Sequence, residues 1–192
     1  MIQNMVAPAL RAPFKKPRPV VYPGSDGKPL AETETHFLAI AAFVALLRRF
    51  FANRSDVYAH GCNFIYYEEG NNKARFSPDA YVVFGVEKKN RRSYFLWEEK
   101  RAPAIVVEFT SRKTKNEDAI QKKELCARLG VKEYFMCDPK SEYLKPPLQG
   151  FRLADGRYEP IPMAADGSIH SVELRATLRL ENKLLTIRYC CT

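Results

Sequence analysis

Apolar residues recur at three- and four-residue steps between positions 32 and 52. The recurring positions are Phe37, Ile40, Ala41, Val44, Leu47 and Phe51. This spacing predicts an amphipathic helix over residues 32–52, with these side chains facing the core. Arg48 and Arg49 lie near the end of the segment, where cations interact favourably with the helix dipole, so they have a structural explanation.

Short runs rich in β-branched and aromatic residues predict strands in much of the remaining chain. The predicted strands are residues 57–59, 63–67, 80–86, 104–109 and 132–137. Residues 104–109 form an apolar run typical of a strand covered on both faces. A helix that Asn116 is expected to cap and Gly130 to end lies between the last two strands. Because such a helical crossover joins parallel neighbours, these two strands are predicted to be parallel.

Beyond residue 142 the pattern predicts two β-hairpins. The pairs are 150–153 with 158–161 across Asp155-Gly156, and 173–180 with 184–189 across residues 181–183. Together the elements predict an α/β fold with α+β character and additional C-terminal β-hairpins. The chain shows no internal repeat and no second domain.

Residues 1–29 read as a basic, proline-rich N-terminal arm ahead of a single domain at residues 30–192. Prolines interrupt any periodicity in the arm, and no acidic residue precedes Asp26. Its cations include Arg11, Lys15, Lys16 and Arg18. The arm could lie along a phosphate backbone, but a loosely packed arm or a subunit contact is the favoured interpretation.

A long basic connection is predicted at residues 87–102. Tyr94, Phe95 and Trp97 alternate with its charged residues. Aromatic residues among cations suit contact with unstacked bases. A connection folded onto the core through Phe95 and Trp97 accounts equally well for the pattern, so both alternatives stay open.

The chain of 192 residues carries a formal net charge of +9 and has a pI near 9.3. A basic excess favours a polyanionic partner, most simply nucleic acid, because counterion release drives that association. A merely soluble basic protein would show the same excess. The expected DNA contacts are Lys88, Lys89, Arg91, Arg92, Arg112, Lys113 and Lys115.

Five cysteines without a CxxC pair indicate reduced and mostly buried thiols, as in the cytoplasm. No apolar run reaches membrane-spanning length, and the chain does not begin with a signal pattern. We therefore expect a cytoplasmic protein without a membrane contact. The scattered histidines, His36, His60 and His170, are interpreted as structural or exposed.

Two carboxylates accompany the β-forming runs. Asp79 follows Pro78 at the start of one predicted strand, and Glu108 lies inside another. Because a buried carboxylate is costly without a partner or a metal, the pair predicts a site for Mg²⁺ or Mn²⁺, with the Phe109 carbonyl as a third ligand. Such an ion activates water for phosphodiester cleavage. Alternatively, Asp79 only caps a turn and Glu108 only forms an ion pair.

Lys122 is the cation best placed to act beside these acids. It lies on the inward stripe of the predicted helix, three residues after Ala119 and four before Cys126. From there its ammonium group could orient the attacking water or offset charge that develops in the transition state. The neighbouring Lys123 is expected to face solvent.

Three segments in combination resemble the Uma-type restriction-endonuclease family, within the PD-(D/E)XK nuclease superfamily. They are Ser-Pro-Asp at 77–79, Val-Val-Glu-Phe-Thr-Ser at 106–111 and Leu-Gly-Val-Lys-Glu-Tyr-Phe at 129–135. The resemblance implies a restriction-endonuclease-like core, with a central mixed β-sheet flanked by helices. It also implies metal-dependent hydrolysis of DNA, with Asp79 and Glu108 as metal-binding acids. Glu34 on the first helix could add a further acid, although Glu32 competes for that role.

The chain departs from the superfamily pattern at Thr110, two residues after Glu108, where a lysine normally stands. The family usually carries that lysine on the following helix, and Lys122 matches this position. The departure keeps open a second hypothesis, a nuclease fold that binds nucleic acid without cleaving it. A third is a dimeric structural or interaction protein. For a nuclease, a homodimer is expected because two strands must be cut.

Overall fold

A computed structural model describes residues 19–25, 27, 33–111 and 116–189, with only the backbone of residues 117 and 118. The expected helix is confirmed as α1, Glu34–Phe50. It begins after Thr33, whose hydroxyl accepts a hydrogen bond from the His36 backbone N–H at 3.2 Å. No helix in this part of the chain is both long and apolar enough to cross a membrane.

The face that α1 buries agrees with the predicted one at Ile40 and Leu47 but not at every position. The buried residues are Ala39, Ile40, Phe43 and Leu47. Phe37 and Ala41, expected in the core, are exposed, and Phe37 is 48% accessible. The prediction was wrong here because residues 37–47 are all apolar, so that spacing alone does not identify the inner face.

Twelve strands lie within the described residues. They are β1 Val57–His60, β2 Ile65–Tyr66, β3 Arg75–Phe76, β4 Ala80–Phe84, β5 Tyr94–Phe95, β6 Ile105–Phe109, β7 Glu133–Cys137, β8 Leu148–Ala154, β9 Arg157–Pro160, β10 Ile169–Ser171, β11 Ala176–Glu181 and β12 Leu184–Tyr189. The short strands β3, β5 and β10 were not predicted, because two or three residues are too few to show a periodicity.

The central sheet has six strands in the order β1-β4-β6-β7-β8-β9. Strands β6 and β7 are parallel, as expected for a helical crossover, and the other neighbours are antiparallel. Strands β8 and β9 form the first predicted hairpin, and β11 and β12 form the second. The expected central mixed sheet and C-terminal hairpins are therefore confirmed.

Two layers cover the central sheet. One face packs against α1 and against a three-stranded sheet, β10-β11-β12. The other face packs against the crossover helix and the small sheet β3-β2-β5. The crossover starts as a π-helix, Glu117–Lys122, and continues as α3, Lys123–Arg128. Asn116 does not cap it, because its backbone is already helical and its side chain makes no capping hydrogen bond.

The connection at 87–102 folds onto the protein. It contains β5 and a short helix, α2, Leu96–Glu99. Phe95 stacks on Tyr66 at 5.3 Å between ring centroids, and Trp97 packs against Tyr22 at 5.5 Å. Of the two alternatives for these aromatic residues, packing is the one that the structure shows. Tyr22 belongs to the predicted arm, so this part of the arm lies on the small sheet. Residues 1–18, 26, 28 and 29 of the arm fall outside the described residues.

A buried carboxylate joins the central sheet to the C-terminal sheet. Glu133 on β7 is 1% exposed and accepts hydrogen bonds from Arg152 Nη2 at 2.9 Å, from the Ser171 hydroxyl and from the Val172 N–H at 3.0 Å. Arg152 Nε also donates to Glu133, at 3.2 Å. Four donors from two sheets therefore converge on this one side chain. This carboxylate therefore has a structural explanation that needs no metal.

We expect Arg152→Ala to lower the free energy of unfolding by about 3 kcal/mol, because it leaves the buried Glu133 charge without its cation. Urea unfolding followed by circular dichroism measures this change. Arg179→Ala is the matched control, since Arg179 makes only partly exposed pairs with Asp166 and Glu181 and should cost less than about 1 kcal/mol. Equal costs in the two variants would contradict the assigned role of Glu133.

Candidate active site

Asp79 lies immediately before β4, beside the end of β6. Its Oδ2 accepts a hydrogen bond from the backbone N–H of Phe109 at 2.7 Å. Strands β4 and β6 are antiparallel, with Ala80 opposite Val107, so this register places Asp79 across from Glu108. Asp79 therefore lies beside Glu108 at this edge of the central sheet.

Glu108 is the fully buried acid of the pair, with 0% exposure. Its Oε2 accepts a hydrogen bond from Lys122 Nζ at 2.9 Å. Lys122 is the last residue of the π-helix, whose wider turn sets the direction of the side chains that follow it. The structure thus brings Glu108 and Lys122 together, across fourteen residues of sequence.

The Cys62 thiol lies close enough to both acids and to Lys122 for their charges to affect its pKa. Burial raises the pKa of Cys62 to about 12, with further raising effects from the Asp79 and Glu108 carboxylates and an opposing effect from Lys122. The buried Cys126 on α3 also has a raised pKa, mainly from burial and then from Glu108, again opposed by Lys122. Both acids and the lysine are therefore within electrostatic reach of Cys62.

The loop after β1 holds Asp79 from the other side. Cys62 donates its backbone N–H to the Pro78 carbonyl at 2.9 Å, and its thiol lies 3.7 Å from the Asp79 carbonyl oxygen. A Cβ at Gly61 would lie 2.0 Å from that same oxygen. Gly61 is therefore required for the close approach of the two chain segments, and sequence reasoning missed it.

His36 is a second residue that sequence reasoning missed. Its Nε2 lies 3.8 Å from Asp79 Oδ2, and its side chain is 11% exposed. His36 continues the buried line of Ile40, Phe43 and Leu47 by one turn towards the start of α1. That spacing was a signal in the sequence, but it was obscured by the equally apolar line through Phe37.

Glu34 does not join this group. It is exposed in the first turn of α1. Two residues separate it from His36, which corresponds to about 200° around the helix, so the two side chains leave opposite sides. The residue of this turn that reaches Asp79 is His36. Glu32, the alternative acid, lies outside the described residues.

The remaining predicted positions around Glu108 are close to the site. Phe109 packs its ring 5.8 Å from Phe43 and uses its N–H for Asp79. Thr110, at the position of the superfamily lysine, is 3% exposed. Lys123 does not face open solvent as expected, because its Nζ lies 3.4 Å from the centroid of the Phe151 ring and burial lowers its pKa.

The cations expected to contact DNA have different surroundings. Lys88, Lys89 and Arg92 are exposed, although Lys88 Nζ also donates to the Phe51 and Ala52 carbonyls at the end of α1. Arg91 is different: its side chain is 4% exposed, it pairs with Glu99 at 2.7 Å, and it stacks over Tyr58. Arg91 therefore supports the fold and cannot reach a phosphate. Arg112, Lys113 and Lys115 lie outside the described residues.

The donor set determines what kind of ion these residues could hold. Asp79 and Glu108 supply two carboxylates, and the described residues contain no group of three or more His, Cys, Asp and Glu side chains suited to a metal. Structural zinc sites need four protein ligands. Mg²⁺ needs only one or two carboxylates, because water and substrate oxygens complete its octahedron. The residues therefore fit a hard, partly hydrated divalent ion.

Comparison with known proteins bears on the family and on the fold of the chain. The sequence model of the Uma2 family, described as "Putative restriction endonuclease", matches residues 14–185. A similar solved structure is a putative nuclease of the DUF820 group from Anabaena variabilis, with a TM-score of 0.58 and 12% identity over 79% of this chain and 81% of that chain. At this identity the likeness shows the fold alone. No curated protein matches the sequence.

We expect Gly61→Ala to displace Asp79, because a new Cβ meets backbone rather than a flexible side chain. The variant should bind Mn²⁺ at least about tenfold more weakly than the wild type, as measured by calorimetry, while circular dichroism shows a folded protein. Gly70→Ala is the control, since its Cβ would meet open space far from the site, although its φ of 82° adds a small strain. Unchanged Mn²⁺ binding in Gly61→Ala would contradict the role given to this glycine.

Proposed function

The chain belongs to the Uma2 family of putative restriction endonucleases, and from this premise we propose that it is a metal-dependent endonuclease that hydrolyses phosphodiester bonds in DNA. The family match supports a nuclease, and the similar solved structure supports the fold that the proposal requires. The observation that carries the finer proposal is the sheet register that places Asp79 across from Glu108, together with the hydrogen bond from Lys122 to Glu108. Apart from Lys122, these groups come from neighbouring strands whose register is set by the sheet.

In the proposed site, Asp79 and Glu108 hold Mg²⁺ or Mn²⁺, and the Phe109 carbonyl is the proposed third ligand. When bound, such an ion activates water and neutralises charge on the phosphate. The Phe109 N–H fixes the orientation of the Asp79 carboxylate, so this carboxylate needs little reorganisation when the substrate binds. His36 packs beside Asp79 and limits its movement towards α1.

Lys122 has two roles in this proposal. In the structure its ammonium group balances the buried charge of Glu108. With substrate bound, the same group can donate to the attacking water or to a phosphate oxygen. Its place on the π-helix allows this, because a side chain from the crossover reaches the end of β6.

A second candidate function is nucleic-acid binding without cleavage. Two observations favour it: Thr110 stands where a lysine is usual, and the 2.9 Å contact between Lys122 and Glu108 is also what a purely structural ion pair would show. Cleavage assays separate the two functions, because only the endonuclease requires Lys122 for a chemical step.

For either function we propose that the exposed cations Lys88, Lys89 and Arg92 contact the phosphate backbone, together with Arg112, Lys113 and Lys115. Arg91 is omitted because it is buried against Tyr58 and Glu99. We also propose that the protein acts as a homodimer in the cytoplasm. The described cysteines Cys62, Cys126 and Cys137 are free thiols, which fits a reducing compartment.

We expect the wild type to nick supercoiled plasmid with Mg²⁺ or Mn²⁺, and Asp79→Ala and Lys122→Ala to lose at least about 100-fold in rate. Asp79→Ala removes a proposed ligand of the metal ion, and Lys122→Ala removes the cation that offsets charge on the phosphate. Gel electrophoresis of timed samples measures the rate. Lys123→Ala is the matched control, since the adjacent lysine lies on Phe151 and should retain activity. Activity lost only in Asp79→Ala would overturn the lysine assignment, and no cutting by the wild type would favour the binding function.

We expect the double variant Lys89→Ala with Arg92→Ala to bind DNA more weakly. The negative slope of log K against log salt should become shallower by about 0.9 for each phosphate that the variant no longer neutralises. Fluorescence anisotropy at several salt concentrations measures this slope. Arg91→Ala is the control: it should lower thermal stability because the Glu99 pair is removed, and it should leave the slope unchanged. An unchanged slope in the double variant would show that Lys89 and Arg92 do not contact the DNA backbone.

A further inference from the structure

Helix α1 is apolar on all sides over three turns. Residues 37–47 contain no polar side chain. Its inner side is buried through Ala39, Ile40, Phe43 and Leu47. A helix that is apolar all round is normally covered on every side, because leaving large apolar side chains in water forgoes their burial energy. The outer side of α1 is therefore expected to pack against another protein surface.

The outer side of α1 is an exposed apolar stripe, which we name the α1 outer face. Its members are Phe37, Leu38, Ala41, Ala42 and Ala45. Phe37 and Leu38 are 48% and 52% exposed. A groove of about 330 Å³ runs along it, lined partly by Phe37, Ala41 and Val44 of the helix and by Cys62 of the neighbouring loop.

The charges at the two ends of the α1 outer face are complementary to each other. Glu34 and Arg48 each lie seven residues from Ala41, on opposite sides of it. Seven residues are nearly two helical turns, so all three side chains lie on one line along the helix. Both charged residues are exposed, and a hydrogen bond of 3.2 Å from Arg48 Nε to the Ala59 carbonyl orients the guanidinium group.

We propose that the α1 outer face is the interface of a twofold homodimer, in which α1 of a second copy packs antiparallel with Ala41 at the axis. A twofold axis makes each surface meet itself. An antiparallel pair centred on Ala41 places Glu34 opposite Arg48 of the partner subunit, at both ends. The alanines at the centre allow the helices to approach closely, and Phe37 and Leu38 on either side enter the grooves.

This occupant is favoured over an unrelated protein because the surface is complementary to itself. A parallel pair would place Glu34 against Glu34 and Arg48 against Arg48, and like charges in an interface are costly. An uncharged apolar ligand would leave both charged ends without a counterpart. Only the antiparallel second copy uses the apolar stripe, the central alanines and both charged ends.

The arrangement has a consequence for the proposed nuclease, and this consequence alone rests on that function. His36, which touches Asp79, is five residues from Ala41, or about 7.5 Å along the helix. The twofold axis doubles this separation, so the two His36 side chains are about 15 Å apart along the helix direction. Because His36 lies on the buried side of α1, the dimer carries one site on each side of the helix pair, one for each strand of a duplex.

The experiment is analytical ultracentrifugation of the full chain without DNA or metal. We expect a dimer in the wild type and an increase of at least about 100-fold in the dimer dissociation constant for Ala41→Arg, because two guanidinium groups would face each other at the axis. Ala165→Arg is the matched control, since Ala165 is an exposed alanine in a turn away from α1 and should leave the dimer intact. Circular dichroism establishes that both variants are folded.

A charge exchange tests the register. Glu34→Arg alone and Arg48→Glu alone should each weaken the dimer about tenfold, and the double variant should restore it, which a folding defect would not do. A monomeric wild type, or a dimer indifferent to Ala41→Arg, would overturn the proposal, as would a double variant weaker than either single one. Because none of these measurements involves cleavage, plasmid nicking by a monomer would reject the interface and leave the nuclease standing.

Discussion

The antiparallel register of β4 and β6 is the constraint on which the candidate site depends. It places Asp79 across from Glu108, and the bond from the Phe109 N–H to Asp79 extends the contact one residue beyond the last paired strand residues. A slip by one residue would turn one acid to the other face of the sheet. The buried residues of both strands oppose that slip, because both faces of the sheet are covered and a slip would exchange the side chains that pack in the two cores. The site is therefore held by the hydrophobic core as much as by its own polar contacts.

Two further sets of contacts hold the site in place, one on each side of the paired strands. On one side, Gly61 and Cys62 pack against the backbone of residues 78 and 79, which is possible only because Gly61 has no side chain. On the other side, the parallel crossover brings Lys122 over the end of β6. The proposed catalysis uses groups from three segments that are far apart in sequence and meet only at this end of the sheet.

Glu108 and Glu133 show how similar sequence signals acquire different meanings. Each is an acid in a fully buried strand. Glu133 receives hydrogen bonds from Arg152, Ser171 and Val172 and joins two sheets. Glu108 faces Lys122 and lies across from a second carboxylate, Asp79. The cost of burying a charge predicts that each acid has a partner, but it does not predict whether the partner stabilises the fold or serves chemistry.

From local periodicity and turn residues, the sequence predicted the fold class, a helix at 32–52, the parallel crossover and the two C-terminal hairpins. It also indicated Asp79, Glu108 and Lys122 through their position beside strands and on the crossover. Only the tertiary structure decided that His36 rather than Glu34 faces Asp79, that Gly61 is needed beside Asp79, and that Arg91 is buried. It also decided which side of α1 faces the core, since a helix that is apolar all round has no inner face until the sheet packs against it. These outcomes depend on contacts between distant segments, and local sequence patterns do not encode such contacts.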